Sequence, residues 1–497
     1  MKSSALAGLA LCSTSFFLAC GAVEETAQPD PGVVVETPDP PQKKPPVEEE
    51  PQTPAQCTPA VAAPTCASTK PAPTSSTAIT KFVKDAAVPI RCGANDKNTW
   101  DLRPLIDLYG NNKIFMIGEV HGTNEIGIVS SLVFDELVKK NLVNVVAFEM
   151  PMDVEAPLQR WVDTGKDPTA DNLLKYMAPN FFGTLLPKSA REAVLKGAKI
   201  KVGAVDIPQQ PQIAIYAIQE VAAKLTTQKD TVLATLPMSV TGQGSPDEAM
   251  QVNAYFDHII AKKSEICSEL SAADCERLVA MTHALWASTL TYDDGGDSEL
   301  WFARREEVIY YNMKTKIAGP SDRMFLHMGA AHTNKHWFSA GSKMAKEYEL
   351  TKGLVFSVAP AWGDGSVIWY GQDMPLPADP TTIVDALTDE PPHPTYISMT
   401  RPTNDCEANP VGLEPEGRVG HNNDGTRAEL YDGYIHYGKL TSERRPYDTS
   451  LSRDGSSQGA KAAPQSKALE GLVQFRKRIE AKEHAALAAR AERLRRF

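Results

Sequence analysis

Three features that would point to a function at once are missing from this 497-residue chain. After its first twenty residues it has no apolar run of the roughly 18 positions that a membrane-spanning helix needs, so we expect a soluble mature protein. Its formal net charge of −11 gives no electrostatic reason to bind nucleic acid, because phosphate contacts need clustered lysine and arginine. Its Gly-x-Ser-x-Gly sequence, at residues 455–459, lies in a polar run with no strand before it, so we do not expect a serine nucleophile elbow.

The N-terminus has the layout of a bacterial export signal. Lys2 provides a positive start, and the apolar run from Ala5 to Ala19 is too short to be a membrane helix. The run ends in Leu18-Ala19-Cys20, which resembles the lipobox of bacterial lipoproteins. We therefore expect residues 1–19 to be a signal peptide and Cys20 to be lipidated, with an ordinary secretory signal cut nearby as the alternative. The lipid would be the protein's membrane attachment and would place it in the cell envelope, as an outer-membrane lipoprotein facing the periplasm or the surface.

A segment rich in Pro, Glu and Thr follows the signal. Residues 20–78 contain almost no large apolar side chain, so burial cannot offset the entropy of ordering and we expect a disordered tether. An exported chain can form disulfides, and an even set of cysteines remains after lipidation of Cys20. The sequence does not fix their pairing. The two pairs to try first are the local ones, Cys57 with Cys66 and Cys267 with Cys275, which leave Cys92 and Cys406.

Short β-branched apolar runs alternate with helical segments between residues 112 and 371, which is typical of β-α units in a mostly parallel sheet. Strands are predicted at 113–118, 143–148, 199–205, 323–326 and 353–358, and helices at 126–140, 213–225 and 341–348. The sequence therefore predicts the α/β class, with a mostly parallel central sheet flanked by helices.

Ionisable side chains follow four of these strands. They are Glu119 and His121, then Glu149, then Asp206, then His327 and His332. Because parallel sheets place ligands outside the carboxyl ends of their strands, we expect these side chains to meet at one rim. Glu149 directly follows an apolar strand that we expect to be buried, so its carboxylate needs a partner. Asp206 could instead cap the next helix.

The other histidines are expected to be structural or on the surface, because a lone histidine seldom has a catalytic role. This applies to His258, His393, His421, His436 and His484, and His283 is expected to pack inside a helical segment.

Residues 118–125, Gly-Glu-Val-His-Gly-Thr-Asn-Glu, and Phe148-Glu149-Met150-Pro151 resemble the superfamily of erythromycin esterases, ChaN-like haem-binding lipoproteins and TraB/Tiki proteins. Residues 327–332 resemble the second histidine motif of the esterase branch. The resemblance extends from about residue 112 to 447. One departure concerns Val120, which alone separates Glu119 from His121, because the esterases usually carry two residues there and the shorter spacing is ChaN-like.

The resemblance implies one domain, residues 79–450, and a hydrolase that activates water without a covalent nucleophile or a required cofactor. Its substrate would be a small ester or lactone. His121 is the candidate base, oriented by Glu119 or Glu149, since a neutral imidazole can take a proton from water near pH 7. The developing oxyanion would be stabilised by His332, His327 or Arg305, and Glu125 and Asp206 would contact the substrate.

Two further functions remain open. A ChaN-like protein would bind haem for iron uptake, through an exposed residue such as Tyr109, Tyr176 or His336. A Tiki-like protein would be a metal-dependent hydrolase, since two histidines and several carboxylates on one rim also suit a divalent ion.

Two helical regions complete the prediction. A helical insertion at about 246–316 contains two helices joined near residues 271–274, and its apolar stripe is mostly core. Residues 451–497 are predicted to be a polar linker and a basic C-terminal helix that is either solvated or self-associating, with attraction to an anionic surface as the weaker alternative.

Overall fold

An eight-stranded sheet lies at the centre of the computed structural model, which describes residues 64–92, 100–176, 185–240, 245–290, 298–336, 338–369, 372–388, 393–415 and 425–443. The strands are β1 (Val88–Pro89), β2 (Ile114–Glu119), β3 (Val145–Pro151), β4 (Lys201–Asp206), β5 (Met324–Gly329), β6 (Val355–Ala361), β7 (Gly365–Trp369), β8 (Gln372–Leu376), β9 (Thr395–Ser398) and β10 (Gly433–His436). The sheet order is β1-β9-β10-β6-β2-β5-β3-β4, and β7 and β8 pair with each other as a hairpin.

The pairing confirms the predicted fold class. From β10 to β4 neighbouring strands are parallel, whereas β9 and β1 add an antiparallel edge beyond β10. Each of the five predicted strands is present, with every end within three residues of its predicted position. All six residues of β2 are buried, because helices cover both faces of the sheet, and this explains the continuous apolar runs.

Helices connect and cover the strands. They are α1 (Ser76–Ala86), α2 (Arg103–Tyr109), α3 (Asn124–Lys139), a 3-10 turn (Met152–Val154), α4 (Glu155–Thr164), α5 (Pro168–Tyr176), α6 (Leu185–Leu195), α7 (Pro211–Ala222), α8 (Lys229–Leu233), α9 (Pro246–Cys267), α10 (Ala272–Thr289), α11 (Ser298–Lys316), α12 (Ala330–Thr333), α13 (Ala340–Lys346), α14 (Thr382–Leu387) and α15 (Arg427–Leu430). None of the described helices is long and apolar enough to cross a bilayer.

Alternating side chains of the strands feed two cores, one on each face. On the first face Ile117 and Phe325 pack with α3, α4 and α6. On the second face Met116 and Leu326 pack with α11 and α13, and towards the antiparallel edge Tyr434 packs with α1 and α14. Residues two apart on a strand therefore share a face, and neighbours in sequence do not.

The predicted helical insertion contains α9 and α10, which pack with α7 around Trp286 and Tyr255. The predicted turn lies between them, where the Ser271 hydroxyl accepts a hydrogen bond from the Asp274 N–H at 3.1 Å and starts α10. Helix α11 differs from the expectation, because Ile309 and Met313 pack with Val205 of β4 and close the second face of the sheet. It therefore belongs to the sheet as much as to the insertion.

Two expectations about the start of the domain are wrong. The fold begins before residue 79, since α1 starts at Ser76 and Lys70 pairs with Glu407 in a β-bridge. Cys66 is bonded to Cys406, which excludes its pairing with Cys57, because the bridge at Lys70 brings the segment before α1 to residue 406. The local pair Cys267–Cys275 is present at the α9–α10 turn, and Cys92 is also disulfide-bonded.

Several predicted features lie outside the described residues. They are the signal peptide, Cys20, the tether up to residue 63, His421, His484 and the linker and helix at 451–497.

Candidate functional site

The rim of the sheet brings together all six residues predicted to be catalytic. Glu119 ends β2, Glu149 lies in β3 and His327 in β5, His332 follows in α12, and Arg305 reaches the rim from α11. His121 lies in the turn after β2. These side chains, with Asp206 at the end of β4, form one network of hydrogen bonds and ion pairs.

The turn after β2 fixes the position of His121. Gly122 has a φ of +73°, and a Cβ there would lie 2.0 Å from the Ile368 carbonyl oxygen, so this position requires glycine. The Gly122 carbonyl accepts hydrogen bonds from the Ile368 N–H at 3.0 Å and the Glu443 N–H at 2.8 Å. The hairpin strand β7 and the end of the domain therefore hold the turn that carries His121.

Glu119 lies between two histidines. Its Oε1 is 3.0 Å from His121 Nδ1, and its Oε2 is 2.9 Å from His327 Nε2. His327 Nδ1 is in turn 2.9 Å from the Ser130 hydroxyl of α3. Because an ionised carboxylate only accepts hydrogen bonds, His121 donates through Nδ1 and His327 through Nε2, and a neutral His327 then accepts from the Ser130 hydroxyl. When its ring is neutral, His121 carries its lone pair on Nε2.

The charges around Glu119 keep it ionised. Burial alone would raise its pKa, but attraction to His327 and His121 in their protonated forms, together with the hydrogen bonds from both rings, outweighs that effect, and the pKa of Glu119 is lowered. An ionised Glu119 fixes the tautomer of His121 and would stabilise the imidazolium formed when Nε2 takes a proton.

A second group of charges surrounds Arg305. Its Nε and one terminal nitrogen donate to Asp206 at 2.8 and 2.7 Å, and the same terminal nitrogen donates to Glu149 Oε1 at 2.6 Å. Burial opposes the charge of Arg305, but Asp206 and Glu149 outweigh it, and the pKa of the guanidinium is raised well above its ordinary value. Asp206, which was expected to contact substrate or cap a helix, here orients Arg305.

His332 is held as a cation by two carboxylates. Nδ1 contacts Glu306, and Nε2 lies 3.2 Å from Glu149 Oε1. Burial lowers the pKa of His332, but Glu306 and Glu149 raise it more, to about 10. Nε2 therefore carries a proton and donates to Glu149, so Arg305, whose other terminal nitrogen is also 3.2 Å from Nε2, is a neighbouring cation and not its donor. The ring of Phe302 stacks on His332 with centroids 5.0 Å apart.

Glu149 joins the two groups. Burial would raise its pKa, but His332, His121 and Arg305 hold the pKa of this carboxyl well below its usual range. Its Oε2 accepts the Gly329 N–H at 2.8 Å and lies 3.8 Å from His121 Nε2. A Cβ on Gly329 would lie 3.1 Å from that oxygen and 3.7 Å from the His121 ring, so glycine keeps the space beside His121 open.

Exposure separates His121 from the rest of the network. Its side chain is 21% exposed, against 14% for Arg305 and Asp206, 8% for Glu149, 5% for His332 and 4% for Glu119. His121 is therefore the group that solvent or a small molecule reaches first.

Three of these residues also have the composition of a metal site. One ligand atom each from Glu119, His121 and Glu149 lie within 4.8 Å of one another. Two carboxylates and one imidazole suit a hard or borderline divalent ion.

Two further residues, one predicted to contact the substrate and one named as a haem ligand, have other contacts in the structure. Glu125, in the first turn of α3, accepts the Thr441 N–H at 2.8 Å and contacts its hydroxyl, so it connects α3 to the end of the domain. Tyr109 is fully buried in the core, which excludes it as an exposed haem ligand.

Two residues of the network were not predicted as site residues. Glu306 is wholly buried and contacts His332 and the Ala340 N–H. The sequence does carry a signal for it, because Phe302, Glu306, Ile309 and Met313 follow the helical spacing of a buried stripe, in which a glutamate needs a partner. No comparable signal distinguishes Ser130 from other small residues on the buried face of α3.

The fold resembles several solved structures. No family model and no curated protein sequence matches the chain. A protein from Bacillus cereus superposes with a TM-score of 0.51 at 15% identity, covering 74% of this chain and 99% of its own. A succinoglycan biosynthesis protein superposes with a TM-score of 0.52 at 15% identity, covering 74% and 98%.

A histidine-to-asparagine mutant of the erythromycin esterase EreC, in its open conformation, superposes with a TM-score of 0.51 at 14% identity, covering 69% of this chain and 95% of its own. At these identities the likeness shows a shared fold.

Proposed function

We propose that this protein is a hydrolase that activates water with His121 and cleaves an ester or lactone. The observation that carries the proposal is the position of His121: the buried Glu119 holds its Nδ1 at 3.0 Å, and its partly exposed ring turns Nε2 towards Glu149 at 3.8 Å. General-base catalysis requires a nitrogen that water can reach, and the His121 side chain is more exposed, at 21%, than those of Arg305 and Asp206, at 14% each.

The proposed reaction uses residues of the chain alone. His121 Nε2 takes a proton from water, and the oxygen of that water forms a bond to the substrate carbonyl carbon. Glu119 stabilises the imidazolium. The tetrahedral intermediate then breaks its bond to the leaving alcohol oxygen, which receives the proton from His121. The positive charges of Arg305 and His332 lie beside Glu149 and favour the negative charge that develops on the substrate oxygen.

The comparisons support this proposal at the level of the fold. One of the similar structures is described as an erythromycin esterase. Since the chains are 14% identical, this likeness gives a reason to include macrolide lactones among the substrates tested, together with simple esters.

The test measures the full chain and two histidine variants on a panel of esters and lactones that includes macrolides. His121→Ala should lower kcat/KM by about 10²–10⁴-fold, the usual contribution of a general base. His258→Ala is the matched control, because His258 lies in the insertion, where its Nε2 is 3.1 Å from the Thr231 carbonyl oxygen, and it should keep full activity. An inactive parent, or full activity in His121→Ala, would exclude the proposal.

A metal-dependent hydrolase is the second candidate, favoured by the proximity of Glu119, His121 and Glu149. These residues would hold the ion, which would lower the pKa of a bound water and polarise the substrate carbonyl. Activity lost in a chelator and restored by a divalent ion would select this candidate, whereas chelator-resistant activity would select the metal-free base.

Haem binding, as in ChaN-like proteins, stays a prediction from the sequence. A Soret band on adding haemin to the full chain, lost on replacing one tyrosine or histidine, would support it. The lipid anchor at Cys20 and the cell-envelope location also stay proposals, which labelling with a radioactive fatty acid would test against Cys20→Ser.

A further inference from the structure

Two histidines outside the candidate site lie against each other near the antiparallel edge of the sheet. His436 is the last residue of β10 and is fully buried, and His393 precedes β9 and is partly buried. Their ring centroids are 4.6 Å apart with an angle of 81° between the planes. Gly438 makes room for this contact, since a Cβ there would lie 2.6 Å from the His393 ring.

The nitrogens of both rings are buried, and those of His436 have no hydrogen-bond partner among the described residues, whereas His393 lies beside the backbone of Leu387. Buried polar groups are normally paired, and each exception needs a physical reason. A purely apolar packing role would be served at lower cost by a leucine or phenylalanine, which has no polar atoms to desolvate. The pair is therefore a candidate to bind a ligand from outside the core.

The pair is separate from the candidate site. His436 alternates with Ile435 and shares a face with Tyr434, which packs with α1 and α14. Glu119 lies on the opposite face, where His327 connects it to Ser130 of α3. In the sheet, β6 separates β10 from β2, so the two places are about 10 Å apart along the sheet.

The ring spacing fits two imidazoles that share one ion. A transition-metal ion binds an imidazole nitrogen at about 2.0–2.1 Å, which puts the ion about 3.2 Å from the ring centre. Two rings with centres 4.6 Å apart can then share one ion at an angle of about 90°, provided that each ring turns a nitrogen towards the ion. Neutral imidazole is the commonest side-chain ligand of metal ions, and it suits Zn²⁺, Cu²⁺ and Ni²⁺.

We propose that His393 and His436 form a transition-metal site, distinct from the candidate active site, that binds Zn²⁺ or Cu²⁺ through the two imidazoles and water. The proposal is independent of the hydrolase proposal, because none of its residues belongs to the catalytic network.

The first experiment counts bound Zn²⁺ by calorimetric titration of the chelator-treated full chain. His436→Leu and His393→Leu should each bind one equivalent fewer than the parent. His283→Leu is the matched control, since the Nδ1 of His283, in the helical insertion, is also buried without a hydrogen-bond partner among the described residues, and this variant should bind as the parent does. His121→Ala should keep the equivalent that His436→Leu loses. An unchanged stoichiometry in His436→Leu overturns the proposal.

Two further measurements separate metal binding from folding. Without metal, His436→Leu should unfold at the same temperature as the parent or higher, because it removes two buried polar atoms, and added Zn²⁺ should stabilise only the parent. Electron paramagnetic resonance of the Cu²⁺-loaded parent should show coupling to two imidazole nitrogens, reduced to one in His393→Leu. A parent spectrum without two such nitrogens overturns the proposal even if a variant fails to fold.

Discussion

Buried histidines are treated in opposite ways at two places on the same sheet. At the rim of β2 to β5, His332 contacts a carboxylate through each nitrogen, and burial is outweighed by Glu306 and Glu149, so its pKa is raised to about 10. At the end of β10, His436 has no hydrogen-bond partner among the described residues, and burial beside His393 lowers its pKa to about 3. Burial is common to both, so the partners decide the charge.

The comparison separates two uses of polar groups in a core. At the rim, buried charged side chains surround the partly exposed His121, and each of them is kept charged by its neighbours. His393 and His436, in contrast, are neutral imidazoles whose nitrogens we propose to bind a metal ion. Substitutions at the rim should therefore cause large losses of activity or of folding stability, and substitutions of unpartnered histidines should cause small ones.

The largest effect is expected at Glu119, which holds His121. Glu119→Gln keeps the size of the side chain but removes the charge that fixes the tautomer of His121, so kcat/KM should fall by about 10²–10⁴-fold on whichever ester the parent cleaves. Glu136→Gln, on the surface of α3 with lysine contacts at 3.6 Å, is the control and should stay within twofold. Equal activity of the two variants would remove Glu119 from the mechanism.

Replacing Arg305 tests whether the ion pairs of the rim also stabilise the fold. Arg305→Met leaves Glu149 and Asp206 buried without their shared cation, and breaking a buried ion pair costs about 3–5 kcal/mol. The adjacent Arg304→Met is the control: its guanidinium lies 3.7 and 4.0 Å from the ring centroids of Phe256 and Trp286, and losing such contacts costs about 0.5–2 kcal/mol. Urea unfolding measures the loss of unfolding free energy in both variants. A larger loss in Arg304→Met than in Arg305→Met would contradict the prediction.

The pH dependence of stability should differ between partnered and unpartnered histidines. The folded pKa of His332, about 10, lies above its unfolded value, so its contribution is complete below about pH 6.5 and is lost as the pH rises towards 10. Burial lowers the pKa of His283 to about 4, so the unfolded chain takes up the proton first and stability falls as the pH drops below about 6.5.

Urea midpoints between pH 5 and pH 10 measure both effects. His332→Gln should flatten the alkaline side by an amount on the order of a few kcal/mol, and His283→Leu should flatten the acid side. Below about pH 4.5 the rim carboxylates, whose pKa values are lowered, begin to lose their own contribution, so the acid comparison belongs above that pH. An alkaline side unchanged in His332→Gln would mean that His332 is not held as a cation.

The rim was predictable because its residues follow strands in sequence. Parallel strands bring their carboxyl ends together, so Glu119, Glu149, Asp206 and His327 could be expected at one place from the strand pattern alone. The partners of these residues could not be assigned in the same way. Which carboxylate serves His121 depends on the turn at Gly122, whose geometry is set by β7 and residue 443.

The features that the sequence did not predict depend on contacts between distant segments of the chain. Cys66 and Cys406 are 340 residues apart, and no local pattern connects them. The antiparallel edge formed by β1 and β9 has strands of two and four residues, too short to show alternation. His393 and His436 look like isolated histidines in the sequence, because only the pairing of β9 with β10 brings them together.

The smallest effect is expected at Glu125, which the sequence pattern assigned to substrate contact. Glu125 lies at the start of α3, where a negative charge favours the helix dipole, and it accepts hydrogen bonds from Thr441. Glu125→Gln should therefore lose about 1 kcal/mol of stability, from the dipole and the charged acceptor, with kcat/KM within twofold of the parent. Thr441→Val, which removes the hydroxyl from the other side of the contact, is the matched variant and should cost a similar amount without an effect on activity. If Glu125→Gln instead raises KM while Thr441→Val does not, Glu125 contacts the substrate, and the network around His121 extends to the first turn of α3.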